Sequence, residues 1–554
     1  MKILSTVGLS IGLILIGVSF FAEQIGMDND AGWGAGRILM LETGIALLLM
    51  SVFSIVFWDR LACLGRQISG AANRFNKINY SSQMIIFSTP AALIVIASYV
   101  WFALPVFKAP IFNYYSLLAT AFKNHQLHLI EEPPSVFLAL DDPYDYALRK
   151  EKNIENFPWD VSLYNNKFYF YWGPVPSLLL VFFGNEALIR IKDVHLVLAF
   201  TCGLFFYCVL LSYSIWLSFN KAFPPWLFGI SLLAVGLSAP TAWLLSSSRV
   251  YEAAISGCQF FFIGGCYWAY SSLKGKAPSP SKILLAGLHW ALAIGTRITI
   301  SPVIFFTTGM LLFYMLKKIK PFSLKLYLPM ALYLCVPLVV AVAGLGWYNR
   351  ARFGSILEFG MKYQLANVNY SIFHDSFSTR YIKENLYNYF IHPLKLRGVF
   401  PYLRPIENTF SNERLAGLVY ISPYFLFAGL FVGRFLRPKN PPHNRDVDDL
   451  GNWLTLTLAG SSLISTLIIL SFYFPATRYG LDFMPSLLLL ATASLGEGYR
   501  LSGKNKIAGT VYIIFVALAA LFSAAASSLA AFPPQKEKNV IALIKGIYQL
   551  LGFR

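Results

Sequence analysis

The chain has 554 residues, of which 56% are hydrophobic and 13% charged, and its formal net charge is +18. Soluble domains carry about 25% charged residues, so a soluble globular enzyme is excluded, and repeated apolar runs of roughly 20 residues read as transmembrane helices. The basic residues sit in short connections between these runs, as expected of loops held on the cytoplasmic side; no basic, aromatic-laced module for nucleic acid is visible.

The first run, Ile3 to Ala22, follows Lys2 but is long and lacks a small-x-small site before Glu23, so it reads as a retained helix and not a leader. A second run covers Arg37 to Trp58, and the connection after it carries Arg60, Arg66, Arg74 and Lys77, which places it and the N-terminus in the cytoplasm. Residues 1–83 thus form an N-terminal hairpin with a basic cytoplasmic loop. The third run, Met84 to Phe107, leads into a long polar stretch containing Glu131, Glu132, Asp141, Asp142, Asp145 and Asp160 among Tyr, Trp and Pro residues. It closes on the turn Gly173-Pro174-Val175-Pro176, after which Ser177 to Phe183 is apolar but too short to span and reads as a re-entrant or interfacial piece.

Further runs follow at Val194 to Phe219, Phe223 to Leu245 and Tyr251 to Leu273. Two more turn outside near Arg297, and Leu328 to Trp347 opens a second long outer loop from Tyr348 to Arg414. A tenth helix descends from there to Arg434, the eleventh and twelfth turn outside at FPATRYGLD, and a thirteenth ends near Phe532. The expected fold is therefore an all-α polytopic membrane protein of about 13 helices. Its core is residues 84–532, with extracytoplasmic loops at 108–193 and 348–416. Residues 533–554 have the apolar spacing of a short amphipathic helix lying on the outer face. The six cysteines lie in apolar runs or a cytoplasmic connection, without metal-ligand spacing, and read as small buried hydrophobes.

Ionisable groups near the outer helix ends are costly in a membrane protein and mark function by default. Four sets fall on that side: Asp142, Asp145 and Asp160; Arg249 with Glu252; Arg297; and Arg478, Tyr479 and Asp482. The stretch YNRARFGSILEFGMKYQL adds Glu358, Lys362 and Tyr363. Each set also has a plain structural reading: Asp-Pro favours a turn in DDPYD, Asp160 suits a local cap, and Arg249 with Glu252 suits an interfacial ion pair. Taken together they suit one chemistry. A carboxylate takes the proton from an acceptor hydroxyl or amine, while guanidinium forks hold a phosphate leaving group. That is glycosyl transfer from a polyprenyl-phosphate sugar to a lipid, glycan or protein acceptor. The base is Asp142, Asp145 or Asp160. A transporter or flippase of lipid-linked sugars, or an inactive envelope-assembly protein, is the alternative.

The pieces YYSLLATAFKNHQLHL, DDPYD, DVSLYNNKFYFYWGPVPSLL, SSRVYEAA, GTRITISP, YNRARFGSILEFGMKYQL and ATRYGLDFMPSL resemble the GT-C superfamily of integral-membrane glycosyltransferases, which includes protein mannosyltransferases and aminoarabinose transferases. The resemblance implies a large first core loop with juxtamembrane helices and a catalytic Asp or Glu, a polyprenyl-phosphate donor and residence in a bacterial inner membrane. In many members an acid precedes the Tyr-x-x-Leu-Ala segment; here Asn113 holds that place, so the base moves to Asp142, Asp145 or Asp160, or activity is altered or lost. A second alignment makes Asp28 or Asp30 the acid. Metal use varies in the superfamily, and Asp142 with Asp145 are the two carboxylates that would hold a divalent cation (Mg or Mn).

Overall fold

The computed structural model describes residues 2–22, 78–109, 113–154, 157–275, 277–319, 322–436, 445–501, 505–533 and 536–538, with scattered single positions besides. The chain divides into two compact units, Met1–Gln83 and Met84–Arg554. In the first, Lys2–Phe21 is a helix, and the Ser19 carbonyl accepts from Arg37 Nε at 3.2 Å. Most of the expected second helix, its basic connection, and Asp28 and Asp30 lie outside the described residues.

The second unit is mostly helical. Among the described residues six helical segments are long and apolar enough to cross a membrane: Tyr80–Phe107, Asp193–Phe219, Ile298–Lys318, Leu324–Phe353, Asp449–Ser471 and Lys506–Ala530. Several carry internal prolines, such as Pro90, Pro105, Pro329 and Pro337, which membrane helices tolerate because neighbours satisfy the freed carbonyls. The inner helices are drawn together by small residues, as expected where lipid gives little hydrophobic drive between helices. In the buried Val250–Leu273 helix a Cβ on Gly265 would stand 2.3 Å from the Trp290 ring. On the Pro280–Thr296 helix a Cβ on Gly287 would meet the Leu334 carbonyl at 2.5 Å.

Two expected helices are interrupted. The span Phe223 to Leu245 is split into Pro225–Leu237 and Thr241–Ser246. Pro240 cannot donate to the helix ladder, and the Ala239 N–H donates instead to Ser422 Oγ at 3.0 Å and Ser527 Oγ at 2.9 Å. The expected tenth helix is a chain of short turns: Leu418–Ile421, a 3-10 segment Pro423–Phe431 and Val432–Phe435. Pro423 forbids a continuous ladder at its start, and the Tyr424 N–H donates to Ser523 Oγ at 2.9 Å. Of the expected C-terminal helix only a few residues are described. Lys536 Nζ donates to the Trp101 carbonyl at 2.7 Å, and the rest lies outside the described residues.

The loops also depart from an all-α description. Ser162–Tyr164 and Lys167–Tyr169 pair antiparallel across Asn165 and Asn166, both at positive φ. That is the two-residue turn whose twist matches paired strands and which Asn tolerates. Strands Leu394–Leu396, Leu403–Glu407 and Arg414–Leu415 form a second small sheet. The apolar piece after Gly173 folds as a helix, Val175–Leu180, with Val175, Pro176, Ser177 and Leu180 buried and Leu178 and Leu179 exposed. It packs on the Tyr114–Lys123 helix, with Ser177 Oγ donating to the Tyr115 carbonyl at 2.9 Å. Among the free cysteines described, Cys208, Cys258 and Cys266 are buried.

Candidate functional site

The two long loops clasp each other through their backbones, and the clasp builds the site. The Leu365 N–H donates to the Val161 carbonyl at 2.8 Å, the Asp160 N–H to the Leu365 carbonyl at 3.2 Å, and Ser162 Oγ to the Gly360 carbonyl at 2.8 Å. Arg149, almost fully buried, reinforces the join: its guanidinium donates to the Pro143 carbonyl at 2.7 Å and to the Ala366 carbonyl of the second loop. The rings of Tyr146, Phe157 and Trp159 surround it. The first loop is also seated on a helix end. A Cβ on Gly173 would lie 2.2 Å from the Gly295 carbonyl and 2.5 Å from that of Thr296. Only glycine permits this approach, and it seats the turn on the end of the Pro280–Thr296 helix, next to Arg297 in sequence.

Between the clasped loops and the ends of the Val250–Leu273, Pro280–Thr296, Leu324–Phe353 and Arg445–Ser471 helices lies a cavity of about 340 Å³. Asp160, Arg297, Arg352, Arg478 and Tyr479 line it, and Trp159, Tyr171, Trp172, Tyr251, Tyr370 and Tyr473 belong to its aromatic wall. Asp160 is buried and its backbone sits in the left-handed region at φ 62°, a conformation that surrounding contacts must hold and that clusters at functional positions. Its Oδ1 accepts from Gln364 Nε2 at 2.9 Å, and the same amide nitrogen lies 3.1 Å from the Tyr171 hydroxyl. Burial pushes the Asp160 carboxyl up to about 6, against the pull of the Gln364 hydrogen bond and the charges of Arg478, Arg249 and Arg149.

The arginines of this cavity are fixed by partners. Arg297 makes a two-oxygen contact with Asp482, whose backbone carbonyl in turn accepts from Gln259 Nε2 at 3.1 Å. Arg478 Nη1 donates to Glu413 Oε1 at 2.7 Å, and its guanidinium lies 4.8 Å from the Tyr251 ring centre; its Nε is buried without a partner. Arg352 donates to the Phe170 carbonyl and to Asn349 Oδ1 at 2.8 Å, stacked over Tyr348.

The other expected site residues have different tasks. Asp142 is a turn residue: Oδ1 accepts from the Tyr144 N–H at 2.9 Å and Oδ2 from Asn369 Nδ2 at 2.8 Å. Asp145 caps the Tyr146–Glu151 helix by accepting from the Ala147 N–H at 2.8 Å. Neither lines the cavity. Glu252 is buried and accepts from the Arg249 N–H at 3.0 Å, the reciprocal half of a helix cap, so the expected Arg249–Glu252 side-chain pair is replaced by this backbone contact. Arg249 itself lines a different cavity. Glu358, Lys362 and Tyr363 sit outside the lining: Glu358 accepts from the Gly360 N–H at 2.7 Å and pairs with Lys362 at 3.3 Å, and Tyr363 stacks on Phe353. They brace the turn that carries Gln364.

A divalent cation held by Asp142 and Asp145 does not fit, because the Asp142 oxygens and Asp145 Oδ1 are engaged in turn and cap bonds. Among the described residues no group of three or more His, Cys, Asp or Glu side chains is placed to hold a metal ion. Asn113, at the position where resemblance asks for an acid, precedes the Tyr114–Lys123 helix, and its Oδ1 is buried without a partner. Sequence reasoning passed over Gln364, Tyr171, Tyr370 and Tyr473. Gln364 follows the singled-out Tyr363, but nothing in its own neighbourhood announces a contact with Asp160 some 200 residues earlier.

Comparison with family models, with curated proteins and with solved structures found no match to this chain.

Proposed function

We propose that the protein is a GT-C-type glycosyltransferase that moves a sugar from a polyprenyl-phosphate donor to a lipid, glycan or protein acceptor. The observation that carries this is the meeting of a buried, high-pKa carboxylate, Asp160, with Arg297 and Arg478 in one aromatic cavity at the helix ends. The cavity falls within the roughly 300–1,000 Å³ range of small-molecule sites, and its aromatic wall suits a sugar ring. Asp160 is the general base, since a carboxyl near neutrality balances availability of the ionised form against proton affinity. It takes the proton of the acceptor hydroxyl or amine as that atom bonds to the anomeric carbon. The anomeric C–O bond breaks, and polyprenyl phosphate leaves with the bonding pair.

Arg297 and Arg478 stabilise the developing phosphate charge. Each is oriented by a carboxylate, Asp482 or Glu413, which fixes the fork before the donor arrives, as preorganised electrostatic stabilisation requires. The donor's apolar tail stays in the bilayer beside helices such as Leu324–Phe353, whose outer face is largely exposed apolar side chains. In this reading about thirteen helices cross a bacterial inner membrane, the N-terminus is cytoplasmic and the cavity opens on the extracytoplasmic side.

The test is mass spectrometry of lipid-linked sugars and surface glycans in cells with and without the protein. Accumulation of a lipid-linked sugar with loss of one glycan substituent is the expected result. A flippase would instead move the donor unchanged across vesicles, and unaltered glycans and lipid-linked sugars would contradict the proposal.

A further inference from the structure

A second cavity, of about 630 Å³, lies among the end of the Tyr80–Phe107 helix, the segment Trp243 to Arg249, the Leu394–Leu415 sheet, residues 530–533 and Glu537. Its charged lining is lopsided: Lys108, Arg249, Arg397, Arg404 and Arg414 against two carboxylates, Glu413 and Glu537. Both carboxylates are already spent. Glu413 accepts from Arg478 of the first cavity, and Glu537 pairs with Arg397 at 2.6 Å. Among the described residues no ion pair joins the side chains of Lys108, Arg249, Arg404 or Arg414 to a carboxylate; Glu252 meets Arg249 only at its backbone N–H.

The walls that hold these four cations are built, not loose. Phe532 packs edge-on against Phe400 and at a tilt against Trp101, and Lys536 reaches the Trp101 carbonyl. Arg404 and Arg414 stand on neighbouring strands of one small sheet, and the Arg414 carbonyl accepts from Thr477 Oγ1 at 2.7 Å. Like charges gathered in one concave site repel one another, and an anion in the hollow relieves that repulsion. Guanidinium forks match phosphate oxygens in particular.

We propose that this second cavity binds a ligand carrying more than one phosphate-type anion. The ligand is the head of an anionic lipid, as basic pockets between membrane helices hold, or a free polyphosphate of the same chemistry. The site is separate from the cavity at Asp160, and the inference holds whether or not the chain transfers sugar. The two share a partition, Glu413 and Arg414 on one side and Thr477 and Arg478 on the other.

The experiment measures binding on the full chain in nanodiscs, with no donor present. One arm titrates inorganic pyrophosphate into discs of phosphatidylcholine alone, read by calorimetry. The other uses phosphatidylcholine discs doped with cardiolipin and reads retained lipid by native mass spectrometry. Saturable binding in the first arm assigns a free polyphosphate, and selective retention in the second assigns a lipid head. In whichever arm binds, the double variant Arg404→Gln with Arg414→Gln is expected to weaken binding at least about tenfold, the scale of one lost charge-assisted hydrogen bond. Lys108→Gln, at an exposed position where folding is not at stake, weakens it less. Absence of saturable binding in both arms, or binding that neither the double variant nor Lys108→Gln weakens, overturns the proposal.

Discussion

Asp142 and Asp160 belong to the same loop and have the same chemistry, yet their surroundings differ completely. Both oxygens of Asp142 are taken up by a turn N–H and by Asn369, at a position outside the cavity. Asp160 is buried, held in a left-handed backbone conformation, bonded at one oxygen by an amide, and set on the wall of a cavity with three arginines. A carboxylate can serve as a base only when an oxygen faces the space a substrate would fill and its environment holds its proton affinity near the working pH. By that measure Asp142 and Asp145 of DDPYD are a turn residue and a helix cap, and Asp160 of WDVSLY is the acid on which the proposed chemistry rests.

The comparison breaks first at Asp160→Asn. Loss of a general base costs about 10²- to 10⁴-fold in rate, so transfer in reconstituted vesicles should fall by that factor while membrane insertion is unaffected. The same group sets a pH signature. Activity should rise as pH climbs through about 6 and level off above it, because only the ionised carboxylate accepts a proton. Gln364→Leu removes a hydrogen bond that favours ionisation, so the rising limb should move to higher pH; an unmoved limb would take the titration away from Asp160.

Stability gives an independent reading of the same burial. A carboxyl raised above its unfolded value near 3.9 binds its proton more tightly in the fold. The stability it confers is full below about pH 4 and is lost as pH rises through about 6. Apparent melting temperatures of the wild type and Asp160→Asn should therefore separate as pH rises from 4 to 7, approximately, with the Asn variant higher at the top of that window. Gly173→Ala tests the seat of the loop. Its Cβ meets two backbone carbonyls that cannot rotate away, and overpacking of this kind costs about 1–3 kcal/mol, with transfer reduced as the loop lifts from the helix end. The smallest effect belongs to Asp145→Asn, since Asn caps a helix about as well as Asp; thermal unfolding and transfer should both stay near wild type.

The helical, membrane-spanning character was legible because it depends on composition and run length, which tertiary contacts do not alter. Breaks at Pro240 and Pro423 were written in the sequence as prolines, but whether a membrane helix passes through a proline or stops depends on what catches the freed N–H groups. Here Ser422, Ser527 and Ser523 do so from distant segments. Likewise Asn165-Asn166 between alternating aromatic residues was a readable hairpin signal that a helix-centred reading missed.

At the site, Asp160, Arg297, Arg478 and Tyr479 share a cavity and all were candidates from residue type and position at helix ends. What could not be read was the partnering. Nothing local couples Gln364 to Asp160, Arg149 to Ala366 or Glu413 to Arg478. Glu358, Lys362 and Tyr363 stood out in sequence and their neighbour Gln364 did not, yet past the turn at Gly360, with φ 91°, only Gln364 of the four lines the cavity.

The most direct measurement is transfer of a radiolabelled sugar from polyprenyl phosphate in vesicles, comparing Asp160→Asn with Asp142→Asn at equal protein incorporation. The account predicts a collapse of transfer in the first and near-normal transfer in the second. Full activity in Asp160→Asn, or the collapse appearing in Asp142→Asn instead, would contradict it.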